Sequence, residues 1–482
     1  MDWFSAPEYW LGRLVLERGT AVLYLVAFVA AAQQFRALIG EHGMLPVPRY
    51  VAARSFRAAP SIFHFRFSDR WFAAVCWFGA ALSAAIAAGL ADLVPLWAAM
   101  LGWLVLWALY LSIVNVGQVW YSFGWESLLL ETGFLMVFLG NARTAPPLLT
   151  LLLIRWLLFR VEFGAGLIKM RGDKCWRDLT CLDYHHETQP MPGPLSWFFH
   201  HLPKPLHRIE VAGNHVSQLV IPFGLFAPQP VASVAATIIV VTQLWLVASG
   251  NFAWLNWVTI LLAFSAIDHS SAAAVLPLPD EPVFAAPPAW FVGLTLVFAA
   301  GMLVLSYWPA RNMLSSQQRM NMSFNPFHLA NTYGAFGSIS RTREEVVIEG
   351  TEDAEITDET VWQEYRFKGK PGDVRRLPRQ WAPYHLRLDW LMWFAALSPG
   401  YALPWLRPFL QRLLSNDPDT LKLLRHNPFG DSPPRHVRAQ LYRYRFTTWA
   451  ELRREHAWWH RTLIGEYVPP VSLPSHIGRQ RP

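Results

Sequence analysis

The sequence predicts an all-α multi-pass membrane bundle of about eight spans, followed by a smaller α+β extramembrane C-terminal domain. Of its 482 residues 53% are hydrophobic and only 16% are charged, where soluble domains carry about a quarter charged residues. Apolar runs near the length that crosses a bilayer core, roughly 20 residues as helix, recur up to about residue 308. Beyond residue 311 charge becomes denser, and short stretches alternate apolar and polar side chains with the period of strands.

The runs are Thr20–Leu38, Trp71–Leu90, Val94–Val114, Pro147–Lys169, Val231–Ser249, Phe252–Ile267 and Trp290–Trp308. Gly124–Gly140 is shorter and carries Glu126 and Glu131; it reads as a span whose acids face the bundle. Val216–Phe226 is too short to cross and reads as re-entrant or interfacial. The polar and aromatic opening, residues 1–18, has no pattern of a cleavable signal peptide. The organisation is therefore a membrane domain over 1–310, with loops at 39–70 and 171–214, and an extramembrane domain over 311–482. In the latter, Gly337–Glu349, Val361–Lys368 and His436–Phe446 alternate as strands. Pro404–Leu414 and Pro418–Arg425 read as helices, the second opened by Asp417 as N-cap before a proline.

Twenty-five tryptophans include Trp71, Trp97, Trp120, Trp125, Trp254, Trp257, Trp290 and Trp308 at span ends, as in an interfacial aromatic belt. The net charge is +7, and only six of the 41 basic residues are lysine. The arginines flank spans, so the expected partner is anionic membrane lipid rather than nucleic acid. The bias toward arginine, alanine and tryptophan points to a GC-rich bacterial genome, hence a bacterial plasma membrane; the endoplasmic reticulum membrane would be the eukaryotic equivalent. Arg36, Arg49, Arg54, Arg57, Arg66 and Arg70 would hold the first loop in the cytosol. Alternation of the spans then puts loop 171–214 there too, where a disulfide is unexpected.

That second loop follows the run containing Lys169 and carries Cys175 and Cys181 around Trp-Arg-Asp-Leu-Thr. A structural disulfide is expected; a redox-active pair, against which the spacing speaks, and two reduced thiols are the alternatives. Cys76 lies inside an apolar run as a packing residue. Arg155, Glu162 and Lys169 recur every seven residues and share one helix face. An intramembrane ion network of these three with Glu126 and Glu131 is the structural reading; a desolvated Lys169 acting as general base is the functional one. His185, His186, His200, His201, His207 and His215 crowd the loop, but no metal is expected, because adjacent histidines do not readily face one ion. No cofactor is expected either. Neither a Gly-x-Ser-x-Gly elbow nor a phosphate-cradling loop is present, which argues against a hydrolase or ATPase. Asp268 at a span end would suit a transporter, but no repeated half is visible. Trp381, Trp390, Trp393 and Phe394 are expected to form an apolar surface for a partner protein, unless their helix is buried in its own domain or lies on the bilayer.

Several long blocks resemble the lipase maturation factors. They include RGTAVLYLVAFVAAAQQFRALIGEHGMLPVPRY from Arg18, WYSFGWESLLLETGFL at Trp120–Leu135, and RGDKCWRDLTCLDYHHETQPMPGPLSWFFHHLP at Arg171–Pro203. NPFHLANTYGAFGSI at Asn325–Ile339 and FKGKPGDVRRLPRQWAPYHLRLDWLMWFAAL at Phe367–Leu397 follow in the same order. The resemblance implies a non-catalytic membrane protein that assists folding of secreted clients such as lipases, with the C-terminal region engaging the client. GAGLIKMRGDKCW is also distantly similar to the vitamin K-dependent carboxylase-like membrane domain. That likeness implies an alternative, a membrane enzyme with Lys169 as base.

Overall fold

The computed structural model describes residues 3–473. Its architecture is the predicted one, a helical membrane bundle followed by a smaller domain built on a four-stranded antiparallel sheet. Nine helices make up most of the bundle: α1 (Trp10–Leu38), α2 (Asp69–Ala87), α3 (Leu96–Val116), α4 (Gly124–Met136), α5 (Leu148–Arg171), α6 (Lys204–Leu219), α7 (Val231–Ser249), α8 (Leu255–Ala263) and α9 (Ala289–Leu305).

Among the described residues five helical segments are long and apolar enough to cross a membrane, namely Pro7–Leu38, Asp69–Ala87, Leu96–Val116, Val231–Ser249 and Ala289–Leu314. The expected count of about eight is thus not confirmed by length and composition alone. The three other expected spans do form helices, α4, α5 and α8, and the reason they fall short is physical. α4 has 13 residues, all buried except Phe134, and α8 has nine. α5 carries Arg155, Arg160, Glu162, Lys169 and Arg171. A helix surrounded by protein needs neither bilayer length nor an apolar surface. Val216–Phe226 is divided between the end of α6 and a short turn at Ile221–Gly224 that contains Pro222.

Hydrogen bonds define the two ends of the bundle. At one end Leu148 N donates to Phe4 O (2.8 Å), Arg18 pairs with Asp92 (2.9 Å), and Gln229 Nε2 donates to Tyr9 OH (3.1 Å). At the other, Gln118 Nε2 donates to Leu45 O (2.8 Å), Gln34 Nε2 to His385 O (2.8 Å), and Asp173 N to Gly337 O (2.8 Å). The arginine-rich first loop, the cysteine loop and the C-terminal domain thus share one face. Arg412 reaching His42 O ties the first loop directly to that domain.

The tryptophans divide between two roles. Trp71, Trp97, Trp290 and Trp308 are exposed at helix ends, as a belt requires, whereas Trp120 and Trp254 are fully buried. Trp254 Nε1 donates to Trp125 O at 2.8 Å, so these rings pack helices together instead.

The sheet has the order β2–β1–β3–β4, with β1 Arg343–Thr351, β2 Gln363–Glu364, β3 His436–Phe446 and β4 Trp459–Val471. β1 lies along β3 from Arg343↔Tyr444 to Thr351↔His436. It starts six residues later than the alternation suggests, because the backbone before it is spent on the cysteine loop. The second expected strand shrinks to two residues, since Arg366 N instead donates to His426 O. Around the sheet lie α10 (Arg387–Leu397), α11 (Leu406–Leu414) and α12 (Trp449–Glu455). Asp417 caps the short helix Pro418–Leu421, its Oδ2 accepting from Thr420 N at 2.9 Å. A capping box between Thr448 and Glu451 opens α12.

Candidate functional site

α5 ends at a point where the chain touches the C-terminal region. A Cβ on Gly172 would lie 2.2 Å from Gly337 O, so only glycine fits this approach. Asp173 then accepts from Cys175 N (3.0 Å), capping the turn Lys174–Arg177, and pairs with Arg341 at 2.8 Å. Cys175 and Cys181 are disulfide-bonded, with their Cα atoms 4.8 Å apart. Trp176 between them donates Nε1–H to Phe336 O at 2.7 Å. Cys175, Trp176, Cys181, Leu182, Val211 and Ile339 form a small separate core. The bond thus stiffens a loop whose partner is residues 336–341 of the C-terminal region.

Among the described residues no two of the five ion-network residues form an ion pair with each other. Lys169 Nζ donates to Asn214 Oδ1 (2.8 Å) and Gln218 Oε1 (2.9 Å) and lies 4.8 Å from the Trp176 ring centre. Glu162 Oε1 accepts from Gln243 Nε2 (2.6 Å), whose Oε1 accepts from Asn256 (2.7 Å). Arg155 finds no carboxylate among the described residues; its Nε and Nη2 donate to Ser265 O at 3.0 and 2.8 Å. Glu131 pairs with Arg160. Glu126 pairs with Arg387 of α10 at 2.6 Å and also accepts from Tyr110 OH.

The four aromatics expected at the client surface line the seam between domain and bundle. Trp390 is 3% exposed and packs edge-on against Trp125, with ring centres 4.7 Å apart. Trp393 Nε1 donates to Thr188 O at 3.1 Å, Phe394 lies against Phe123, and Trp381 N donates to Asn251 Oδ1 at 2.6 Å. For Trp390 the client-contact expectation is corrected: a buried ring offers no surface to a partner.

The histidines serve the cysteine loop's own packing. His207 bridges Asp183 (3.3 Å) and Phe199 O (2.9 Å), His200 faces Glu187 at 3.7 Å, and His215 meets Trp176 O at 3.0 Å. Among the described residues no three His, Cys, Asp or Glu side chains converge as metal ligands. Burial, with neighbouring histidines second, pushes His200 down to about 4 and His186 well below its ordinary value. Both are neutral in the fold. As pH falls below about 6.5 the unfolded chain takes up protons that the folded loop refuses, so their stabilisation is full above that value and declines toward pH about 4. Glu187, whose carboxyl burial pushes up, works in the opposite direction. The purified protein should melt about 3 °C lower at pH 5 than at pH 7.5, and His200→Gln should shrink that gap. An unchanged gap in the variant would remove His200 from the account.

Residues 11–274 match the lipase maturation factor transmembrane domain, and residues 329–469 match the lipase maturation factor C-terminal domain. The chain belongs to the lipase maturation factor family. It is 42% identical to lipase maturation factor 1 of Bos taurus over 97% of this chain and 90% of that protein. It is 40% identical to the Homo sapiens lipase maturation factor 1, over 96% and 88% respectively. Identity to lipase maturation factor 2 of Rattus norvegicus is 29%, over 95% of this chain and 82% of that protein. No solved structure matches.

The carboxylase-like alternative gains no support: the relatives named are maturation factors, and Lys169 is held by two amides and a ring. Sequence reasoning missed Arg160 and Arg387 as the partners of the α4 acids. Arg160 carried a signal, a further charge inside the run that holds Arg155 and Glu162. Arg387 carried none, lying 261 residues from Glu126.

Proposed function

We propose that this maturation-factor membrane protein assists the folding of a secreted client, lipase-like by the names of its relatives. The work would be done on an extracytosolic face formed jointly by the cysteine loop and the C-terminal domain, whose boundary we place near residue 311. One observation carries the reading: the Cys175–Cys181 bond lies in a loop docked on that domain. Disulfides persist where the surroundings are oxidising, so the shared face belongs outside the cytosol. The arginines of residues 36–70 lie on the same face, and the positive-inside rule is what gives way. The lumen of the endoplasmic reticulum and the outer face of a bacterial plasma membrane are both oxidising in this sense. Composition alone favours the latter, while the named relatives are vertebrate.

The test is membrane-impermeant thiol labelling of intact cells or sealed vesicles, in a variant lacking Cys76. Cys175 and Cys181 should label only after reduction, without breaching the membrane. Labelling that needs a breached membrane and no reductant would place free thiols in the cytosol and end the proposal.

A further inference from the structure

β4 is an outermost strand of the sheet, and its outer edge is unpaired just where the ladder is regular. Trp459 faces Phe446, yet Phe446 N donates to Glu187 Oε2 (2.7 Å) and Trp459 N to Val374 O (3.1 Å). This pair therefore exchanges no ladder bond. Bonded and non-bonded pairs alternate along an antiparallel ladder, so Arg461 and Leu463 also turn their N–H groups outward. Among the described residues neither amide donates to a backbone carbonyl outside the sheet. Natural edges are blunted by proline, lysine, bulges or short length, and the register shifts of β4 fall beyond Leu463, leaving Trp459–Leu463 regular. β4 has 13 residues, and its prolines, Pro469 and Pro470, come only near its end. Leu463 and Ile464 leave 54% and 44% of their surface exposed beside the open rungs.

A cavity of about 610 Å³ opens at the start of this edge, lined by Val374, Arg375, Arg454, His456, Trp459 and Arg461 among others. Its one carboxylate, Glu455, is already paired with Arg454, and Arg461 is paired with Glu364 at 2.8 Å. Arg375 is exposed and has no carboxylate partner among the described residues. Arg375 is thus the free cation among the described lining residues, and Val374 O, which accepts from Trp459 N, already supplies the first rung of an added strand.

We propose that the outer edge of β4 and the basic cavity at its start take an extended, acidic segment of the client as a fifth strand. Unpaired main-chain groups give such a site its affinity and neighbouring side-chain pockets its specificity. The inference rests on the client-folding reading and names where the client is held.

The experiment uses the purified full-length protein and a fluorescein-labelled nine-residue peptide of alternating valine and glutamate. Two controls carry lysine for glutamate or N-methyl groups on alternate amides. The acidic probe should bind, and each control should bind at least about tenfold more weakly. Leu463→Pro, which removes an outward N–H and no ladder bond, should weaken binding similarly, as should Arg375→Glu, which lies outside the sheet. Equal binding of all three peptides, or no loss in Arg375→Glu, would overturn the inference. So would binding that appears only after removal of residues 474–482, which would give the edge to the chain's own terminus. A dimer dissociated by Leu463→Pro would give it to a second copy, with the same consequence. In cells lacking their own maturation factor, secreted lipase activity separates the two readings. Rescue by wild type but not by Arg375→Glu supports both, and equal rescue by both sinks the edge alone. Absent rescue by wild type sinks the client reading and, with it, the client as occupant.

Discussion

Arg387→Ala should loosen the C-terminal domain from the membrane bundle and cost about 3–5 kcal/mol, the range for removing one partner of a buried ion pair. Arg387 Nη1 donates to Glu126 Oε1 at 2.6 Å and to Trp120 O at 2.8 Å, and the guanidinium lies 3.5 Å from the Tyr121 ring centre. Glu126 is fully buried, so the variant strands its carboxylate among Tyr110, His385 and apolar neighbours. Thermal unfolding and limited proteolysis of the purified protein read the effect, with cleavage expected first near the seam. The double variant Glu126→Gln, Arg387→Met removes both charges and should recover at least about half of the loss, because the cost lies in the unpaired charge rather than in the missing bond. A single variant that melts like wild type would show that the aromatic seam around Trp125 and Trp390 holds the domain alone.

The same residues show what the sequence discloses and what it hides. α1, α2, α3, α7 and α9 are legible because each must satisfy the bilayer by itself, through length and apolarity. α4 and α8 also show as apolar runs, but their ability to cross rests on neighbours, which local composition does not reveal. The seven-residue spacing of Arg155, Glu162 and Lys169 does put them on one helix face. Seven residues of helix are about 10 Å, however, so each side chain meets a different neighbour: Ser265 O, Gln243, and Asn214 with Gln218. The cysteine loop is legible as a pinned element, since two cysteines beside a polar span end have few other uses. Its docking partner at 336–341 is not, because those residues alternate like a strand and only the fold assigns their backbone elsewhere. β4 stayed hidden for a related reason: Pro469 and Pro470 argue against a strand, and only its outer-edge position tolerates them.

Glu131→Ala should be at least as damaging as Arg387→Ala, at about 3–5 kcal/mol, and for a different structural reason. Besides Arg160, Glu131 Oε2 accepts from Asn331 N (3.0 Å), Asn331 Nδ2 (2.9 Å) and Tyr333 OH (2.8 Å). Asn331 O in turn accepts from Arg160 Nη1 at 2.7 Å. A single carboxylate on α4 therefore fixes both a charged neighbour in α5 and the segment that leads into the sheet domain. Hydrogen bonds to charged groups are worth about 1.5–3 kcal/mol each, so loss of several at once outweighs any relief of desolvation. Glu131→Gln keeps the shape and one acceptor and should cost roughly half as much. Glu131→Leu combined with Arg160→Met should be milder than Glu131→Ala, since no charge is left unpaired. Cleavage within residues 325–334 should rise in Glu131→Ala, while Cys175 and Cys181 still require reduction to label, because their loop is anchored separately through Asp173 and Trp176. If cleavage and melting both stay at wild-type levels, α4 is held by packing and its acids are incidental. If the cysteines become labelled without reductant as well, the two anchors act as one, and the face folds as a single unit.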